Sequence, residues 1–193
     1  MKQVYIAGDM LLKGSQLVRQ QEREQIEALG VKVYNPMDDK EINDKTNQTK
    51  ESNDGLAEKI VRKDMKAILD SDVIVIAPES HALGTITELG QIYGINYMLE
   101  QMYSALVIAE QLGDKRGMDY IQTVVEKIPY KEVYAHYDDI RRTDIPEQGD
   151  RRSFGVNQYV YGTVLALTQG RGFQEFDEIV ESLKSELEVT NEG

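Results

Sequence analysis

The chain contains no cysteine. That excludes disulfides, thiolate metal sites and a cysteine nucleophile at once. Histidine is nearly as scarce: His81 and His136 are the only two, and two histidines in unrelated segments make a poor metal set. No metal and no cofactor is expected. The first glycine-containing turn, "AGDMLLKG", lacks the G-x-G-x-x-G spacing, so a bound nicotinamide dinucleotide is not indicated. There is no long run of Lys and Arg, and the net charge is -12. Holding a nucleic-acid polymer or an anionic membrane needs a basic patch, so neither partner is expected, while a single nucleotide stays open. No apolar stretch approaches the roughly 20 residues that cross a bilayer. "MKQVYIAGDM" runs straight into a strand-like segment without the apolar region of a signal peptide, so a cytoplasmic location is the expectation.

What is present points to an α/β fold. The 193 residues, 40% of them hydrophobic, suit one domain spanning 1–193 with a sizeable core. "QVYIAG" reads as strand one, "VKVYNP" as strand two and "VIVIAP" as strand three. The third is apolar on consecutive residues, as expected of a strand covered on both faces. Helical periods separate them over 15–30 and 55–70, and another follows Gly84 to about Met102. "SALVIAE" reads as strand four. Strand–helix alternation predicts a parallel sheet, with ligands outside the carboxyl ends of its strands. Gly8, Pro36 and the "PESHALG" loop fall at that edge. The polar stretch 38–54 reads as a loop long enough to serve as a lid. "VNQYVYGTVLALTQG" fits either a strand or a helix broken at Gly162, and a helix carrying Phe173, Phe176, Ile179 and Leu183 closes the chain.

Two carboxylates stand out. Glu88, in "GTITELG", falls where strand three gives way to a helix. In the first turn, free N–H groups and the helix dipole would favour its anion. Thr85 and Glu88 also have the spacing of a capping box, a purely structural role. Asp64 lies four residues from Ile60 and four from Ile68, on the apolar stripe of its helix. A buried acid is partnered or functional, and burial beside a second carboxylate raises its pKa, as a proton donor requires. The other reading pairs Asp64 with Arg62, Lys63 or a turn amide. Together the two acids suggest retaining glycoside chemistry, one attacking an anomeric carbon while the other protonates the leaving group.

"VYIAG", "KDMKAILDSDVIVIAP" and "GTITELG", in that order and spacing, resemble the nucleoside 2-deoxyribosyltransferase family. The resemblance covers roughly the first 110 residues, with a weaker carboxyl-terminal patch. It implies a single Rossmann-like (flavodoxin-like) domain, with a central, mostly parallel sheet of about five strands flanked by helices. It also implies transfer of a 2-deoxyribosyl group between nucleobases. Glu88 would attack C1′, Asp64 would protonate the departing base and Tyr5 would orient Glu88. Gly8, Asp9 and Gly84, at the ligand edge, are further candidates for the substrate site, although relatives often carry a small or apolar residue where Asp9 stands. Asn157 would reach a neighbouring subunit's sugar, making the active unit a homo-oligomer; the other reading of Asn157, a turn residue, is the one its local sequence favours. Nucleosides or nucleotides and free nucleobases would be the partners. The family often carries an acid six residues before the nucleophile. Here that position is Ala82, and Glu79 is the nearest substitute if its loop folds back. Residues 111–153 look like an insertion. A hydrolytic N-glycosidase acting on nucleoside 5′-monophosphates and a non-catalytic nucleotide-binding domain are the alternatives.

Overall fold

The computed structural model describes residues 3–43, 49–139 and 155–191. Five strands form one all-parallel sheet in the order β2-β1-β3-β4-β5: β1 (Gln3–Ala7), β2 (Lys32–Tyr34), β3 (Val73–Ile76), β4 (Glu132–His136) and β5 (Phe173–Gln174). α1 (Lys13–Glu27) joins β1 to β2, and α4 (Leu56–Asp70) returns to β3 after the short helices α2 (Lys40–Asn43) and α3 (Lys50–Asn53). α5 (Leu83–Leu112) and α6 (Lys115–Val125) lead to β4, α7 (Gln158–Leu167) to β5, and α8 (Phe176–Asn191) follows. This order is the flavodoxin-like one.

Every residue of β1 and β3 is buried, because both sheet faces are covered. Alternation in β1 sends Tyr5 and Ala7 to one face, with Ile74, Ile76, Ile68, Leu89 and Ile92. Val4 and Ile6 go to the other, with Ile26, Val75, Ile179 and Leu183. Tyr5 therefore points toward α4 and α5. The chain turns outward from β1 to β2 and then back across to β3, so the loops after β1 and β3 diverge. A ligand crevice belongs at that switch point.

The expected strand "SALVIAE" is the last part of the 30-residue α5. A short apolar run has no period that separates a buried strand from a helix, and here Val107 and Ile108 are exposed. The fourth strand lies at Glu132–His136, so the stretch taken as an insertion over 111–153 supplies α6 and an inner strand. Its polar flanks hid it. Lys131 is fully buried, and its ammonium donates to the carbonyls of Leu69 (2.7 Å) and Ser71 (2.6 Å). Asn96 closes two bonds with the Lys131 backbone. Partners supplied by distant segments make such residues buriable.

Three further expectations change. Residues 158–167 are helical straight through Gly162. Phe173 belongs to β5, and the last helix starts at Phe176. The segment 38–54, expected to be a loop, carries α2 and α3. Ile42 is buried, and Lys63 binds Asp39 and Glu41. Residues 44–48 of that segment lie outside the described residues.

Candidate active site

A cleft of about 310 Å³ opens at the switch point, and Gly8, Asp9, Asp64, Gly84 and Glu88 all line it. Strand one, α4 and α5 thus bring together residues that are far apart in the chain.

Tyr5 is completely buried, and its hydroxyl donates to Glu88 Oε1 at 2.5 Å. Burial, followed by the charges of Glu88 and Asp64, holds the phenol well above its ordinary pKa. It therefore stays a donor across the accessible pH range.

Glu88 does not cap its helix. α5 begins at Leu83 with Ala82 as the N-cap and no side-chain cap bond, and Ile86 N–H already bonds Ala82 C=O. Glu88 is thus in the second turn, past the free N–H groups, and Thr85 is buried. The expected anion stabilisation by the helix start gives way to burial, which pushes the carboxyl up to about 7; Tyr5 opposes this and Asp64 adds to it.

Asp64 is buried as its place on the apolar stripe required. Burial and then the charge of Asp39 raise it to about 6, while the Tyr34 hydroxyl and Lys63 pull it down. Asp64 Oδ1 has no hydrogen-bond partner among the described residues. A buried oxygen left so is costly, and in a cleft it suits a ligand's donor.

Asp9 is buried, and its oxygens accept the N–H groups of Leu11 and Leu12, both at 3.3 Å. Burial alone would raise it, but the Ser15 hydroxyl, those amides and His81 hold it below the usual carboxylate range. Glu79 reaches the rim, with Oε2 3.6 Å from His81 Nε2. Among the described residues, the ligand atoms of Asp9, Glu79 and His81 lie near enough to one another to hold a cation. Gly84 faces open space, since a Cβ built there meets nothing within 4 Å. Asn157 stands apart from this chain's cleft. It is the N-cap of α7, and its side chain accepts Tyr159 N–H at 2.8 Å.

Sequence reasoning missed two clusters. Tyr34 stacks on Tyr5, centroids 5.6 Å apart and planes within 11°, and donates to Asp39 Oδ2 at 3.3 Å. The signal was the strand register, which pairs Tyr5 with Tyr34 but is invisible before the strands are docked. Arg19 also lines the cleft. It lies 2.7 Å from the buried Glu22, whose Oε1 is 3.0 Å from His136 Nε2. A Cβ on Gly8 would fall 1.8 Å from Arg19 Nη1, so glycine there makes room for the guanidinium.

A flavodoxin-like sheet with two carboxyls and a tyrosine gathered at its switch point places the chain among the doubly wound α/β proteins, whose ligand crevices lie there. The nucleoside 2-deoxyribosyltransferase family model matches residues 4–107, more than half of the 193 residues, and the chain belongs to this family. Among solved structures, a conserved protein from Enterococcus faecalis V583 is similar at 19% identity with a TM-score of 0.59, covering 96% of this chain and 99% of that one. This likeness is one of fold. A 2-deoxyribosyltransferase from Bacillus psychrosaccharolyticus is 13% identical with a TM-score of 0.48, over 92% of this chain and 90% of that one. No curated protein matches the chain. No helix among the described residues is long and apolar enough to cross a membrane.

Proposed function

We propose that the chain transfers a 2-deoxyribosyl group between nucleobases through a sugar ester on Glu88. The observation that supports this reading is the cleft in which Tyr5 holds one oxygen of Glu88 while Asp64 presents a second, easily protonated carboxyl. The other oxygen of Glu88 bonds to C1′ as the C1′–N bond breaks. The electron pair of that bond leaves with the base, which takes its proton from Asp64. The return step is the reverse: an incoming base gives its proton to Asp64, attacks C1′ and expels the Glu88 carboxylate. Asp9 and Glu79 are the candidate partners of the sugar hydroxyls, Gly84 leaves room for them, and Gly8 lines the same cleft beside Arg19. The active unit is proposed to be an oligomer of this chain, with Asn157 at its shared sites. The exposed Tyr97, Met98, Val107, Ile108 and Leu112 along α5 support association.

The test is incubation with deoxyinosine and free adenine, with mass spectrometry of the intact protein. Transfer yields deoxyadenosine and a sugar adduct, hydrolysis yields hypoxanthine and free sugar only, and a binding module yields neither. Glu88→Gln should abolish both product and adduct; near-full activity in that variant removes the nucleophile from the scheme. Asp64→Asn should slow base departure by about 10²–10⁴-fold.

A further inference from the structure

We infer that Arg19 donates a hydrogen bond to a sugar hydroxyl of the bound nucleoside, and that Glu22 is the positioning residue that holds it there. This rests on the proposed reading of the cleft as a nucleoside site.

Tyr5, Asp64 and Glu88 enter the cleft from the sheet face that α4 and α5 cover. Arg19 enters from the opposite face. It belongs to α1, whose Ile26 packs with Val4 and Ile6, and it lines the cleft beside Gly8. A Cβ on Gly8 would lie 1.8 Å from Arg19 Nη1 and 2.7 Å from Cζ. The guanidinium thus fills the place that a side chain at Gly8 would take. Nη1 also donates, at 3.5 Å, to the carbonyl of Ala7.

The cation is buried and anchored. Arg19 is 4% exposed, and its Nη2 lies 2.7 Å from Glu22 Oε1. The same oxygen is 3.0 Å from His136 Nε2, and Phe176 packs edge-on against that imidazole. Arg19 Nε has no hydrogen-bond partner among the described residues. A buried ion pair is a poor stabiliser beside apolar packing, and a buried N–H left unmet is costly. Both features fit a donor kept for a ligand.

The surroundings select the acceptor. Asp9, Asp64 and Glu88 line the same cleft, and Glu22 already offsets the charge of Arg19, so a phosphate would meet mostly acids. A hydroxyl suits the place. A carboxylate such as Asp9, next in the chain to Gly8, accepts its proton, and a guanidinium N–H meets its lone pair. Asp64 takes the base, which leaves the hydroxyls at C3′ and C5′ for Asp9 and Arg19. Such a contact is made alike in the bound substrate and the transition state. Its loss therefore raises KM and leaves kcat.

NMR of the arginine side-chain N–H groups tests this without turnover. In Glu88→Gln, deoxyinosine should shift the Arg19 Nε–H signal, and hypoxanthine alone should leave it in place. In base exchange, Arg19→Met should raise KM for deoxyinosine by about 10–100-fold, as expected for one charged hydrogen bond, with kcat little changed. Arg19→Lys should restore part of the loss. The penalty should vanish with either the 3′-deoxy or the 5′-deoxy form of deoxyinosine. Glu22→Gln should show the same loss in KM, and a loss in kcat alone would remove its positioning role. An unmoved Arg19 signal overturns the inference, whether or not Arg19→Met folds. So does a penalty that persists with both deoxy forms, or a stronger response to deoxyinosine 5′-monophosphate than to deoxyinosine. A shifted signal without base exchange in the wild type overturns the transferase reading and keeps the Arg19 contact.

Discussion

Glu88 and Asp64 sit in one cleft with raised pKa values, about 7 and about 6. Between those values the two carboxyls share one proton, which belongs to the pair rather than to either residue. The reaction proposed here uses the tautomer of that single-proton form with Glu88 ionised and Asp64 protonated, the minor one, since Glu88 keeps its proton to the higher pH. The kcat/KM profile for deoxyinosine should therefore be bell-shaped, with limbs near 6 and 7; a rate flat from pH 5 to 9 would remove the pair from the rate-limiting chemistry. The same shifts affect stability. The folded state binds these protons more tightly than the unfolded chain, whose values lie near 3.8 and 4.5. Stability is thus lost as pH rises from about 4 to about 7. Asp64→Asn removes the Asp64 share of that loss, so it should be more stable than the wild type at pH 8, by on the order of 1–3 kcal/mol in urea unfolding, with the gain vanishing at pH 4.

At the scale of elements, α1 shows how far a helix's inward face can depart from apolar periodicity. Leu17 is exposed, while Arg19, Glu22 and Ile26 are buried. Glu22 lies between Arg19 and His136. His136 is pulled down by burial but held above its ordinary pKa overall by Asp138 and Glu22. Removing the anion leaves the buried Arg19 guanidinium without its carboxylate and His136 with Asp138 alone. Glu22→Ala should cost about 3–5 kcal/mol by chemical denaturation, and a loss below 1 kcal/mol would mean that water replaces the carboxylate. The cluster also explains Gly8: its alanine variant drives a methyl into the Arg19 guanidinium. Periodicity located the helix from its apolar residues, but charged residues buried by a strand more than a hundred positions away leave no local pattern.

For the whole molecule, the long α5 decides most. It carries Glu88 at one end and leaves Val107, Ile108 and Leu112 exposed at the other. If copies of the chain associate through this apolar surface, sedimentation velocity should show a species larger than 21.9 kDa. Ile108→Asp with Leu112→Asp should then return it to the monomer. A wild-type monomer at micromolar concentration would leave Asn157 without a neighbouring site to reach.

Much of this architecture could be read from local order alone. Consecutive β-branched residues in "VIVIAP" mark a strand buried on both faces, and the interval from Ile60 through Asp64 to Ile68 puts an acid on a buried helix face. The order of strand, helix and glycine turn located Glu88. Such signals are short-range and survive without knowing what packs where. Docking decided the rest. It placed Lys131 and His136 inside by providing them with partners, and turned "SALVIAE" from an apparent strand into the end of a helix. It also brought Tyr34 onto Tyr5 and Asp39 onto Lys63. Register and burial are properties of contacts between segments, and the ionisation of the two acids depends on those contacts.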